Sequence, residues 1–134
     1  MKFRIIAATC AALAFGMVGP ASAGQVVNNI VKQAIPDIPG KSLTVNEVLY
    51  APGEATPSHT HAKSAFIVAY VVSGAIESKV NDGEARVYHA GESWTEPGGA
   101  IHSICRNVSK TEPAKLLVIN VVGTDDLPRS TPIK

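Results

Sequence analysis

The chain has 134 residues, with 12 Lys+Arg, 11 Asp+Glu and 4 His, for a formal net charge of +1. That length suits one domain with a modest core and leaves no second domain to look for. A near-neutral balance with no basic run excludes a nucleic-acid face and a polybasic membrane patch.

Lys2 and Arg4 precede an apolar run from Ile5 to Val18 that is too short to span a bilayer comfortably. Pro20 then breaks the run, and Ala21-Ser22-Ala23 offers small residues at the positions a signal peptidase reads. Residues 1–23 therefore read as a cleaved signal peptide with Gly24 first in the mature chain; the competing reading is an N-terminal membrane anchor. Export follows as the expectation, periplasmic or secreted, with no membrane attachment after cleavage. Without Lys2 and Arg4, the 12 basic residues become 10 against 11 acidic ones, a mature formal charge of −1. Cys10 leaves with the same segment, so Cys105 stays alone and no intramolecular disulfide can form.

The mature chain, residues 24–134, reads as all-β. A strand is expected at Ile30–Ile35, then a loop at Pro36–Gly40 where two prolines remove ladder donors. Leu43–Tyr50 is a strand closed by Ala51-Pro52-Gly53. After His59-Thr60-His61 comes a continuous apolar strand, Ala65–Val72, and after Gly74 the alternating strand Ile76–Val80. Asn81-Asp82-Gly83-Glu84 is a hairpin signal, since Asp-Gly suits the positive φ angles of a type I′ turn. Ala85–Tyr88, Ser93–Glu96, Ile101–Arg106 and Leu116–Val122 complete about eight short strands, the spacing of a sandwich or barrel. The core is expected over about 30–122, and the tail 124–134, with Pro128 and Pro132, is expected to be loose or an arm over a neighbour. Residues 65–72 and 116–122 are apolar on both faces, which calls for a second sheet or a second subunit; a homodimer is the preferred reading.

The chemistry concentrates at two places. In a strand, His59 and His61 share a face, because side chains alternate with period 2. Two convergent imidazoles are half of a metal site, although a His-x-His pair is more often a surface or hydrogen-bonded pair. His102 follows the turn Pro97-Gly98-Gly99 at the head of a strand, where its ring can be aimed inward.

Together these residues resemble the two-motif signature of the cupin superfamily. Gly53, five residues, His59-Thr60-His61 and the later Gly74 fit the first motif; Gly91, five residues, Pro97-Gly98-Gly99, two residues and His102 fit the second, with Asn107 one place late. The likeness spans about Ile30 to Val122 and is closest to small exported single-domain cupins grouped with quercetin-dioxygenase-like proteins. It implies a cupin-type β-barrel, that is, a double-stranded β-helix or jelly roll. It also implies a divalent transition metal (Zn, Fe, Ni, Cu or Mn) held by His59, His61 and His102, a small-molecule ligand or substrate, and dioxygenase-like or isomerase chemistry. The alternative is a non-catalytic exported module that binds a small ligand or the metal itself.

One ligand of the family pattern is missing. Its first-motif glutamate belongs between His61 and Gly74, and no acidic residue lies from Ala62 to Ile76. Three imidazoles with an open position remain a competent site, shifted toward nitrogen-loving metals. Glu96, just before Pro97, is the first candidate for a replacement carboxylate and for a catalytic acid or base; the competing reading is a rim glutamate in solvent. Glu47 and Glu77 are lesser candidates. His89 reads as a surface residue, and Cys105, three residues after His102, as a buried small hydrophobe on the opposite strand face. Phe66, Tyr70 and Trp94 could line the barrel mouth or simply fill the core.

Overall fold

The computed structural model describes residues 25–134; the expected signal peptide over 1–23 and its cleavage after Ala23 lie outside the described residues. All regular structure there is β: β1 (Val26–Ala34), β2 (Lys41–Tyr50), β3 (His59–His61), β4 (Phe66–Ser73), β5 (Ala75–Val80), β6 (Arg86–His89), β7 (Ser93–Glu96), β8 (Ile101–Asn107), β9 (Ala114–Gly123) and β10 (Ser130–Pro132). They form two five-stranded antiparallel sheets, ordered β1-β2-β9-β4-β7 and β10-β3-β8-β5-β6. The sheets face each other as a jelly roll, the double-stranded β-helix that the resemblance implied. The count exceeds the expected eight because the histidine pair and the C-terminal tail each form a three-residue strand.

Alternation explains the packing. On β4, Ile67, Ala69 and Val71 point inward and are buried, while Phe66, Tyr70 and Val72 point outward and are exposed. On β2 and β9, Val48, Tyr50, Ala114, Leu116 and Val122 join the same interior, where Ile76 and Cys105 meet them from the second sheet. Each sheet thus covers the other's apolar face, the arrangement sheet stacking demands.

Among the described residues, none gives the outer face of β4 such cover. Register sets Phe66 beside Val121, Val68 beside Ile119 and Tyr70 beside Leu117, and continues through β9 to Leu43 and Val45 on β2. Phe66 and Tyr70 are 54% and 40% exposed, so neither lines the mouth nor fills the core.

Three expectations need correction. The tail is not loose: β10 pairs with β3, Asp126 accepts a hydrogen bond from the Ser64 amide, and Arg129 donates to the carbonyls of Gly123 and Thr124. Local composition could not reveal this, because the tail is ordered through backbone bonds rather than burial. The Asp82-Gly83 turn is not type I′, since the positive φ (51°) falls on Asn81, whose side chain accepts from the Ile101 amide. And β8 does not alternate strictly. Val80 pairs with His102 but Lys79 pairs with Ile104, so Ser103 is an extra, bulged residue.

Gly98 shows why the turn before β8 must be bare. A Cβ there would sit 2.0 Å from the Lys63 carbonyl oxygen, a backbone atom with no freedom to rotate away. Gly98→Ala is therefore expected to destabilise the protein by about 1–3 kcal/mol, as overpacking does. Urea unfolding checks it; an unchanged midpoint would show that the two loops can separate without cost.

Candidate metal centre

β3 has little of its own to hold it in place. It lies between two neighbours, with His59 paired to His102 of β8 and, on the other edge, His61 paired to Ser130 and His59 to Pro132 of β10. The Gly98-Gly99 turn closes against the same segment: the His61 amide donates to the Ala100 carbonyl (3.0 Å) and the Gly99 amide to the Ala62 carbonyl (3.1 Å). Backbone pairing alone brings three imidazoles from two strands to one place. Their ring centroids lie 4.7 Å (His59–His61), 5.3 Å (His59–His102) and 6.1 Å (His61–His102) apart. One ligand nitrogen from each lies within 4.8 Å of the others.

The fourth group comes from the opposite sheet. Glu96, the last residue of β7, is 2% exposed and faces inward. Its partner across the β4–β7 ladder is Ile67, within the stretch between His61 and Gly74 where the missing first-motif glutamate belongs, at about Ala65, Phe66 or Ile67. A carboxylate thus reaches the histidines from the strand beside that stretch. Trp94, two residues earlier on the same face, fixes Oε1 with its indole N–H at 2.9 Å. Oε2 approaches His61 Nε2 to 2.5 Å, and His102 Nδ1 lies 3.3 Å from Oε1.

Two details show that this cluster fits a metal. His59 Nδ1 lies 2.8 Å from the Pro57 carbonyl, which can only accept, so that nitrogen carries the proton and Nε2 keeps its lone pair. His61 Nε2 and Glu96 Oε2 are buried, adjacent and without a hydrogen-bond partner, because their close approach lacks the alignment a hydrogen bond requires. Two orphaned donor atoms beside two more imidazoles are what a cation would satisfy.

Electrostatics point the same way. Burial pushes the His102 pKa down to about 4, against the pull of Glu96 and helped by the neighbouring imidazoles, so the ring is neutral near pH 7, as a ligand must be. Burial also works against ionisation of Glu96, but the close approach of the His61 and His102 rings and the Trp94 indole N–H outweigh it, and its pKa is lowered. A carboxylate thus lies beside the neutral His102 ring.

The other sequence candidates do not reach the centre. Glu47 pairs with Lys115 (3.0 Å) on the outer face of β2, and Glu77 pairs with Arg106. His89 is exposed at the end of β6. Asn107 is buried and ties the chain together, donating to the carbonyls of Ala51 and Glu112. Cys105 is buried as expected, yet it lies on the same face as His102, because the bulge at Ser103 resets the alternation. It stays outside the histidine cluster, its Sγ 3.2 Å from the Tyr50 hydroxyl, and burial pushes its thiol up to about 12. Sequence reasoning missed Ser78, whose hydroxyl lies 2.8 Å from His102 Nε2, and the role of Trp94. The spacing of Trp94 and Glu96 on one strand was the available signal for the second.

The centre opens into a cavity of about 280 Å³ between the sheets. Gln25 and Val27 from one chain end and Ser130 and Pro132 from the other contribute to its wall.

The family described as "Cupin domain" matches residues 46–120. No curated protein matches the chain. Among solved structures it is similar to the TT1209 protein of Thermus thermophilus (23% identity, 74% of this chain and 84% of that one, TM-score 0.61). A conserved protein with a double-stranded β-helix domain from Klebsiella pneumoniae subsp. pneumoniae MGH 78578 has 19% identity over 87% and 90% of the chains, TM-score 0.61. An oxalate oxidase bound to the substrate analogue glycolate has 24% identity over 80% and 55%, TM-score 0.59. At these identities the likeness is one of fold.

The lowered His102 pKa has a consequence for stability. As pH falls, the unfolded chain takes up a proton near 6.5 while folded His102 resists until about 4, so the metal-free protein loses stability across that window. The loss is expected to be roughly 3 kcal/mol. Urea unfolding in chelator at pH 7 and pH 4.5 measures it, and His102→Gln should flatten the dependence; an equal slope in both proteins would assign the loss elsewhere.

Proposed function

The chain belongs to the cupin family, and from that premise we propose that it is an exported cupin using His59, His61, His102 and Glu96 to hold one divalent transition metal that acts on a small molecule. The observation that carries this reading is the convergence of three ligand nitrogens within 4.8 Å beside a buried, orphaned carboxylate oxygen. Glu96 stands in for the family's displaced glutamate, so the site regains the anionic donor that the sequence alone made doubtful. With three nitrogens and one oxygen it suits Zn, Fe, Ni, Cu or Mn rather than Ca or Mg. The metal, when bound, supplies a Lewis acid and an open coordination position.

The residues then divide the work. His59 is oriented through Nδ1 by the Pro57 carbonyl and His102 by Ser78, while Trp94 holds Glu96 in one rotamer. Apolar side chains of β4 and β9 line the cavity opposite the histidines. Oxygenase- or isomerase-type reactions on a chelating small molecule match this arrangement. Export rests on the signal-peptide pattern of residues 1–23. A homodimer, a second copy covering Phe66, Tyr70 and Val72, rests on the uncovered outer face of β4.

Elemental analysis of protein purified without chelator or affinity tag tests the centre. About one equivalent of metal in the wild type and none in His102→Ala is the expected result; a wild type that carries no metal and takes none up on titration sinks the reading. Glu96→Gln should weaken metal affinity by roughly 10–100-fold; full retention would reassign Glu96 to proton transfer. For assembly, light scattering should give a dimer mass that Phe66→Lys/Tyr70→Lys reduces to the monomer, and a monomeric wild type removes the dimer.

A further inference from the structure

The cavity has walls of unequal chemistry. The histidines enter from β3 and β8 of one sheet, while Val48, Ile67, Leu116 and Val118 face them from the other. Among the described residues lining it there is no Lys or Arg, and Glu96 is the one acidic group. The remaining polar groups are mostly engaged with one another. Thr56 donates to Gln25 Oε1 (3.0 Å), so the Tyr50 hydroxyl, 2.6 Å from Thr56 Oγ1, donates to Thr56, and Cys105, 3.2 Å from Tyr50, is left to donate to Tyr50. This string of donors ends on Gln25 Oε1 and offers no hydroxyl hydrogen to a guest. The amide oxygens of Gln25 and Asn46, both lining the cavity, are engaged alike: Asn46 Oδ1 accepts from Asn29 Nδ2 at 2.8 Å.

We propose that the ligand is a small, mostly apolar monoanion: one carboxylate-like oxygen head at the histidine end, a short aliphatic or single-ring body against Val48, Ile67, Leu116 and Val118, and no second charge. This rests on the metal reading above. A divalent ion with three neutral imidazoles and one carboxylate retains one positive charge, which one anionic head neutralises. A second anionic group would enter a wall without a cation and lose its water uncompensated. About 280 Å³ lies at the lower edge of ligand pockets, which sets the body at one ring or a short chain. Asn46 lines the same cavity from β2, so a carboxylate put in its place would stand beside the ligand and repel the anion.

Matched pairs test the class. In calorimetric titration of the zinc-loaded mature chain, hexanoate should bind at least tenfold more tightly than adipate, which adds only a second carboxylate, and tenfold more tightly than acetate, which lacks the body. Adipate or acetate equal to hexanoate overturns the proposal. Asn46→Asp, isosteric and still able to accept from Asn29, should weaken hexanoate at least tenfold through the added negative charge while zinc content stays at one equivalent; unchanged binding overturns the seating of the anion in this cavity. Zinc content measured on the same samples separates the two readings. If no zinc is taken up, the metal centre fails, and the cavity is read alone with 1-hexanol, monitored through the single tryptophan, Trp94. A saturable fluorescence change upholds an apolar-body pocket, and no response overturns it.

Discussion

A carboxylate buried beside three imidazoles is the constraint around which the rest of the structure is arranged. Taking Glu96 out of water costs several kcal/mol unless charge and hydrogen bonds compensate. The Trp94 indole N–H at 2.9 Å supplies the hydrogen bond to Oε1, and the His61 and His102 rings stand at 2.5 Å and 3.3 Å. None of these is adjacent to the others by chance. Glu96 and Trp94 share the inner face of β7, His61 sits on β3 and His102 on β8, so both sheets must close correctly before the carboxylate finds its partners.

Closure depends on small features far from any chemistry. Gly98 lets the β7–β8 turn press against the Lys63 carbonyl, and that contact sets where His102 begins its strand. Gly74, at a φ of 76°, returns the chain between β4 and β5, where a Cβ would lie 2.8 Å from that of Ala114. The bulge at Ser103 then turns Cys105 to the same side as His102. Without that extra residue Cys105 would face outward, and its thiol could not close the hydrogen-bonded string with Tyr50 and Thr56. Chain ends take part as well. β10 covers the free edge of β3, so the strand carrying His59 and His61 is paired on both sides.

The two faces of the first sheet have opposite fates. Inward, its apolar residues form one wall of the cavity and set the character of whatever enters. Outward, Phe66, Tyr70 and Val72 extend an apolar surface that no other part of the described chain covers. The same continuous run, 65–72, serves both faces, which is why it lacks the polar alternation seen in β5.

Much of this was legible in the residues. Turn signals and apolar runs located most strands, with β7 matching to the residue, and motif spacing singled out His59, His61 and His102, because ligand geometry on strands is a matter of parity and of glycine-permitted turns. The missing glutamate was equally plain, as an absence. Sequence alone left Glu96 open between site and solvent, since which residue stands opposite Ile67 depends on the register of strands far apart in the chain. The tail was misjudged because its order comes from backbone pairing that carries no compositional mark, and Cys105 was placed on the wrong face because a one-residue bulge inverts parity. Residue types and spacing determined what the site is made of. Only strand register in the folded sheets decided which of those residues meet.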